Sequence, residues 1–134
     1  MRTLALDIGM TRTGYAFGNT ELGVALTRPQ ILLTQNLERF LLQENTIERI
    51  ELLIVGIPTN RNSEATSMTQ FALEKIKLIT EILPDVKIIQ VNEKSTSRVA
   101  DKNLKEAVKS TQKVQMFNDN EAARILLQEY LDKV

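Results

Sequence analysis

Apolar and polar positions alternate along the first third of the chain, then change to helical spacing after residue 36. Residues 2–8, 12–18 and about 22–34 read as three strands, joined by glycine-containing turns at Gly9 and around Gly18 to Gly23. Connections this short make an antiparallel meander. Asn36 is placed to cap a helix that carries Leu37, Phe40, Leu41 and Ile47 on one face. Glu51 to Gly56 reads as a buried strand, followed by a loop from Ile57 to Asn62. A long helix is expected from Ser63, with Met68, Phe71, Ala72, Ile76, Ile79 and Leu83 at helical spacing, stopped by Pro84 and Asp85. Val86 to Val91 forms the next strand, and Glu93 follows at once. Two more helices, roughly 96–108 and 118–133, are separated by the polar loop from Lys109 to Lys113.

This order predicts an α/β fold: a mixed five-stranded sheet, three antiparallel strands then two parallel ones, with helices on both faces. A strand–helix–strand crossover is right-handed, so strands 51–56 and 86–91 run parallel to strand 2–8. Their carboxyl ends share one edge, where open α/β sheets bind ligands. Asp7, the loop from Gly56 to Asn60, and Glu93 all fall at that edge.

The composition narrows the chemistry. The 134 residues suit one domain, 1–134, and 43% hydrophobic with 25% charged residues fits a soluble globular protein. No apolar run approaches a membrane span and no signal-peptide pattern opens the chain, so a cytoplasmic location is expected. The absence of cysteine excludes disulfides, thiolate nucleophiles and cysteine-ligated metals. With no histidine either, a base or ligand must be carboxylate, Lys, Tyr or backbone, a hard oxygen set that suits Mg²⁺ or Mn²⁺. The net charge of zero argues against wholesale coating of nucleic acid. Residues 92–113 nevertheless hold Lys94, Arg98, Lys102, Lys105, Lys109 and Lys113 against three acids, and can either track phosphates or form a solvated face.

Asp7 ends an apolar strand and opens a turn containing Gly9, Thr11, Arg12 and Gly14. The residue types suit a metal and a phosphate, although an acidic turn cap has the same composition. Asp119 shares a helical face with Ala122, Ala123, Leu126 and Tyr130, so it is expected to point at the sheet, or else to serve the helix start. Asp7, Glu93 and Asp119 would raise one another's pKa if confined together, a conflict that two divalent cations about 3.5–4 Å apart resolve. Without metal, Asp119 is expected to face like charges and its helix start to sit back.

On these residues the chain resembles the YqgF (RuvX) family, described as Holliday-junction-resolvase-like proteins and nucleases of precursor small-subunit ribosomal RNA. The opening pattern is met by Asp7, Gly9, Arg12, Gly14 and Ala16, and the central one by Val55, Gly56, Ile57, Pro58 and Asn60, with Glu64 starting the helix. Asn92-Glu93-Lys94-Ser95-Thr96 stands for an Asp-Glu-Arg-x-Thr segment, and Asp119, Ala122 and Ala123 for the final Asp-x-x-Ala-Ala. Asn92 and Lys94 depart from the pattern, removing a charge and a bidentate fork. The resemblance implies a ribonuclease H-like fold and phosphodiester hydrolysis with Asp7, Glu93 and Asp119 as catalytic metal ligands. Gly9, Thr11, Arg12, Asn60, Thr96, Lys109 and Lys113 would meet substrate, structured ribosomal-RNA precursor ahead of branched DNA. Rival readings are a non-catalytic RNA- or protein-binding module and a sugar-kinase or actin-like ATPase, which needs a second domain and phosphate loop. Whether the protein is a monomer or a homodimer stays open at this level.

Overall fold

The computed structural model describes residues 1–60, 62, 64–94 and 112–134. In chain order the elements are β1 (Arg2–Ile8), β2 (Arg12–Asn19), β3 (Val24–Leu26), β4 (Leu32–Leu33), α1 (Leu37–Ile47), β5 (Leu52–Thr59), α2 (Ser67–Ile82), β6 (Lys87–Lys94) and α3 (Gln112–Lys133). The sheet runs β3-β2-β1-β5-β6, with β4 pairing β2 beside β3. Strands β1 and β2 are antiparallel, whereas β5 and β6 run parallel to β1.

Strand β1 is central and sorts its side chains by size. Leu4, Leu6 and Ile8 enter one core with Leu53 and Val55, under Leu37 and Leu41 of α1 and Ala72, Ile76 and Ile79 of α2. Ala5 enters the other core, with Ala16, Ala25 and Ile54, under Ala123, Leu126, Leu127 and Leu131 of α3. Small residues on that second face let one helix lie close to the sheet. A methyl group on Gly18 would come within 3.0 Å of Leu127 and 3.2 Å of Leu131.

Several expected boundaries move. The third strand divides into β3 and β4, because the stretch from Thr27 to Ile31 contains Pro29, which has no amide proton for a ladder. Ile47 is 76% exposed, and the buried face of α1 ends instead on Glu44. Helix α2 starts at Ser67, where Thr66 and Thr69 form a reciprocal capping box. Strand β5 continues through Thr59 and β6 through Lys94, so Glu93 stands within a strand, opposite Pro58, rather than after one. Helix α3 begins at Gln112, which puts Lys113 in a helix rather than a loop. The expected helix 96–108 with Thr96 and Lys105, the Lys109 end of the expected loop, and the expected helix start at Ser63 lie outside the described residues.

Candidate active site

Asp7 has a glycine on each side. Its register partners are Gly14 on β2 and Gly56 on β5. Register partners project to the same face, which here is the face that α3 covers. Both vacancies are filled. A Cβ on Gly14 would overlap the Asp119 carbonyl, so the backbone of α3 rests against β2 at that point. A Cβ on Gly56 would stand 2.5 Å from Glu93 Oε2, so the Glu93 carboxylate lies over Gly56. Adjacent strands are separated by about 4.8 Å, which puts that carboxylate roughly one strand spacing from Asp7. Three distant segments meet because two neighbouring strands have no side chain there.

The Asp119 carboxylate turns to Arg12, with Nε 3.2 Å from Oδ2 and both side chains partly exposed. The guanidinium thus supplies positive charge beside the Asp119 carboxylate. Among the described residues, no three Asp or Glu side chains stand together in an arrangement that holds a metal ion. The Glu93 carboxylate over Gly56 and the Asp119 carbonyl at Gly14 are oxygen donors on the two positions flanking Asp7, and oxygen is the ligand type of hard divalent cations.

The turn that carries Arg12 is braced from below. Gly9 N–H donates to the Arg12 carbonyl at 3.0 Å, and Thr34 N–H donates to the Thr11 carbonyl at 2.9 Å. The Thr34 hydroxyl donates to the Gly9 carbonyl at 2.6 Å and lies 2.8 Å from the buried Thr13 hydroxyl. The candidate contacts Gly9 and Thr11 therefore use these backbone groups to hold the turn, not to offer them outward. At the end of β5, Asn60 Oδ1 accepts from the amides of Asn62 and Glu64, both at 2.9 Å. Thr59 Oγ1 donates to Asn92 Oδ1 at 2.8 Å, tying the ends of β5 and β6 together beside Glu93.

Residues 1–133 match the profile of the RuvX family, described as a Holliday junction resolvase. The chain belongs to the RuvX family. A relative from Chlorobium phaeobacteroides (strain BS1), named "Putative pre-16S rRNA nuclease", is 34% identical over 137 residues, covering 98% of this chain and 92% of the relative. One of the same name from Natranaerobius thermophilus is 31% identical over 136 residues, covering 99% and 95%. The crystal structure of the fowlpox virus Holliday junction resolvase superposes over the whole of both chains with a TM-score of 0.51 at 15% identity. That likeness establishes the ribonuclease H-like fold for this RuvX chain.

Two residues near the RuvX motifs escape the sequence reading. Thr34 sits in a stretch read as strand end. Asn120 follows the Asp119 motif position and is buried, 4% exposed. A signal for Asn120 exists: it shares its helical face with Ala123, Leu127 and Leu131, at spacings of three, seven and eleven. The buried stripe of α3 is thus centred on Asn120, one residue on from the expected Asp119 face.

Proposed function

We propose that this RuvX chain is a divalent-metal-dependent endonuclease that cleaves phosphodiester bonds in precursor small-subunit ribosomal RNA, in the cytoplasm. The observation that carries the proposal is the placing of Asp119 and Glu93 over the two glycines beside Asp7. Curated relatives named for pre-16S rRNA support the substrate class. Asp7 and Glu93 would hold Mg²⁺ or Mn²⁺, with Asp119 as the third carboxylate of the set. A cation there polarises a phosphoryl oxygen and stabilises charge on the oxygens entering and leaving.

The chain's own residues supply the rest. Arg12, on its braced turn, brings a permanent positive charge to the mouth of the site, where a phosphate can take up the donors not used by Asp119. The pinned turn keeps that charge in place before substrate arrives, which is the condition for electrostatic stabilisation without reorganisation. The close seat of α3 on Gly14 sets the backbone at Asp119, and the space over Gly56 admits the Glu93 carboxylate beside Asp7.

Family description and fold also support a second substrate, the four-way DNA junction. Incubation of the pure protein with precursor ribosomal RNA and with a four-way junction, each with Mg²⁺ or Mn²⁺, separates the two. Cleavage of RNA that stops in EDTA and in Asp7→Asn is the expected result. Full activity in either condition would remove the metal-site reading, and cleavage of the junction alone would move the substrate to DNA.

A further inference from the structure

The division of the third strand leaves a gap in the sheet edge, and one side chain closes it. β3 pairs with β2 at residues 17–19, and β4 pairs at residues 12–13, so Tyr15 of β2 meets neither. Its amide would be an unpaired buried donor, a costly condition. Asn120 Oδ1 accepts from Tyr15 N–H at 3.1 Å, and Asn120 Nδ2 donates to the carbonyls of Arg28 at 2.8 Å and Gln30 at 3.3 Å. One amide therefore replaces ladder bonds on both sides of the gap. Tyr15 closes the same stretch from the strand side, donating its hydroxyl proton to the Gln30 carbonyl at 2.9 Å.

Asn120 is the residue after Asp119, and Asp119's carbonyl is the atom seated on Gly14. Two polar side chains of α3 bond it to the sheet edge: Gln128 accepts from Ala25 N–H at 3.0 Å and donates to the Gly23 carbonyl at 2.8 Å, more than two turns away from the acid, and Asn120 acts beside it. Leu126, Leu127 and Leu131 set its distance from the sheet but make no directional bond. The three bonds of Asn120 are directional and fall within one residue of the acid.

We propose that Asn120 is a positioning residue for the nuclease reaction: by filling the gap between β3 and β4 it fixes where Asp119 meets Arg12. This rests on the proposed function, but the placement of Asp119 against Arg12 is measurable without it. The test is Asn120→Ala, read in two ways. In the RNA-cleavage assay kcat should fall by roughly tenfold to a hundredfold with KM little changed, the effect expected of a small misplacement. In ¹⁵N-labelled protein without metal or substrate, the Arg12 Nε proton should exchange with solvent faster, as it should in Asp119→Asn. Combining Asn120→Ala with Asp119→Asn should add little to either readout, because both act on one interaction.

Should Asn120→Ala fail to fold, Asn120→Ser leaves a polar site that a water can enter, and the same two readouts apply. A folded variant with unchanged kcat and unchanged Arg12 proton exchange would overturn the positioning role, as would additive losses in the double variant. An inactive wild type would instead overturn the proposed function, and the Arg12 exchange rate alone would then decide the role of Asn120.

Discussion

The two glycines beside Asp7 look equivalent in sequence but face different obstacles. An alanine at position 14 meets backbone, the Asp119 carbonyl, which can yield only if α3 shifts. An alanine at position 56 meets the tip of a flexible side chain, the Glu93 carboxylate, which can swing aside. Gly14→Ala should therefore cost roughly 1–3 kcal/mol in denaturant unfolding, the range for overpacking a close contact. Gly56→Ala should stay within about 1 kcal/mol of wild type yet lose roughly tenfold or more in cleavage rate, because its damage is confined to the aim of Glu93. Equal stability losses in the two variants would contradict this. Asp7→Asn removes charge without volume, so the fold should survive while activity falls by about a hundredfold or more. The neighbourhood of Asp7 and Glu93 was legible because an acid in or just after an apolar strand breaks the strand's pattern, and the structure sets Glu93 over Gly56, the register partner of Asp7. The role of Asn120 was not, since it depends on a gap in another element, and nothing in residues 118–123 reveals that gap.

At the scale of elements, the sequence predicts the order and type of almost every described piece, and errs where tertiary bonds override pattern. The run from residue 22 to 34 has strand-like residues at both ends, but Pro29 between them cannot join a ladder and Asn120 supplies a substitute for the missing rungs. Glu93 was placed after its strand because polar residues usually mark a strand's end; parallel pairing with Pro58 and Thr59 keeps it inside. The turn from Gly9 to Arg12 depends on Thr34, which stands just after β4 and donates its amide and its hydroxyl to that turn. Thr34→Val keeps the shape and deletes the hydroxyl, leaving the Gly9 carbonyl and the Thr13 hydroxyl each short of a partner. Unfolding measurements should show a loss of about 1–3 kcal/mol, with faster amide exchange at Gly9 and Arg12. Unchanged exchange there would mean that the turn holds itself.

Across the whole molecule, the acids of the site have a counterpart at the opposite end of β1. Glu44, 8% exposed at its side chain, takes bonds from Arg2 at 2.9 Å and from Arg28 at 2.9 and 3.0 Å. Arg28 also lies 4.0 Å over the Phe17 ring. The hydrogen bonds from Arg28, and then those from Arg2, hold the Glu44 carboxyl below the usual carboxylate range against the opposing effect of burial. A lowered pKa in the folded state stabilises the fold above the unfolded value and ceases to do so as pH falls through the folded one. Glu44→Gln should thus destabilise by about 1–2 kcal/mol at neutral pH, with the gap to wild type narrowing in acid below the ordinary carboxylate range. A gap independent of pH would assign the loss to shape rather than charge. The pairing of Asn120 with Tyr15, 105 residues apart, has a consequence in time. Synthesis delivers Asp7 early and Glu93 later, but the face of Ala5, Ala16 and Ile54 stays bare until Ala123, Leu127 and Leu131 arrive to cover it. Loop closure over such a span is slow compared with local helix formation. On the proposed function, a growing chain that has passed Glu93 but not Asp119 carries two of the three acids, so cleavage waits for the helix that brings the third.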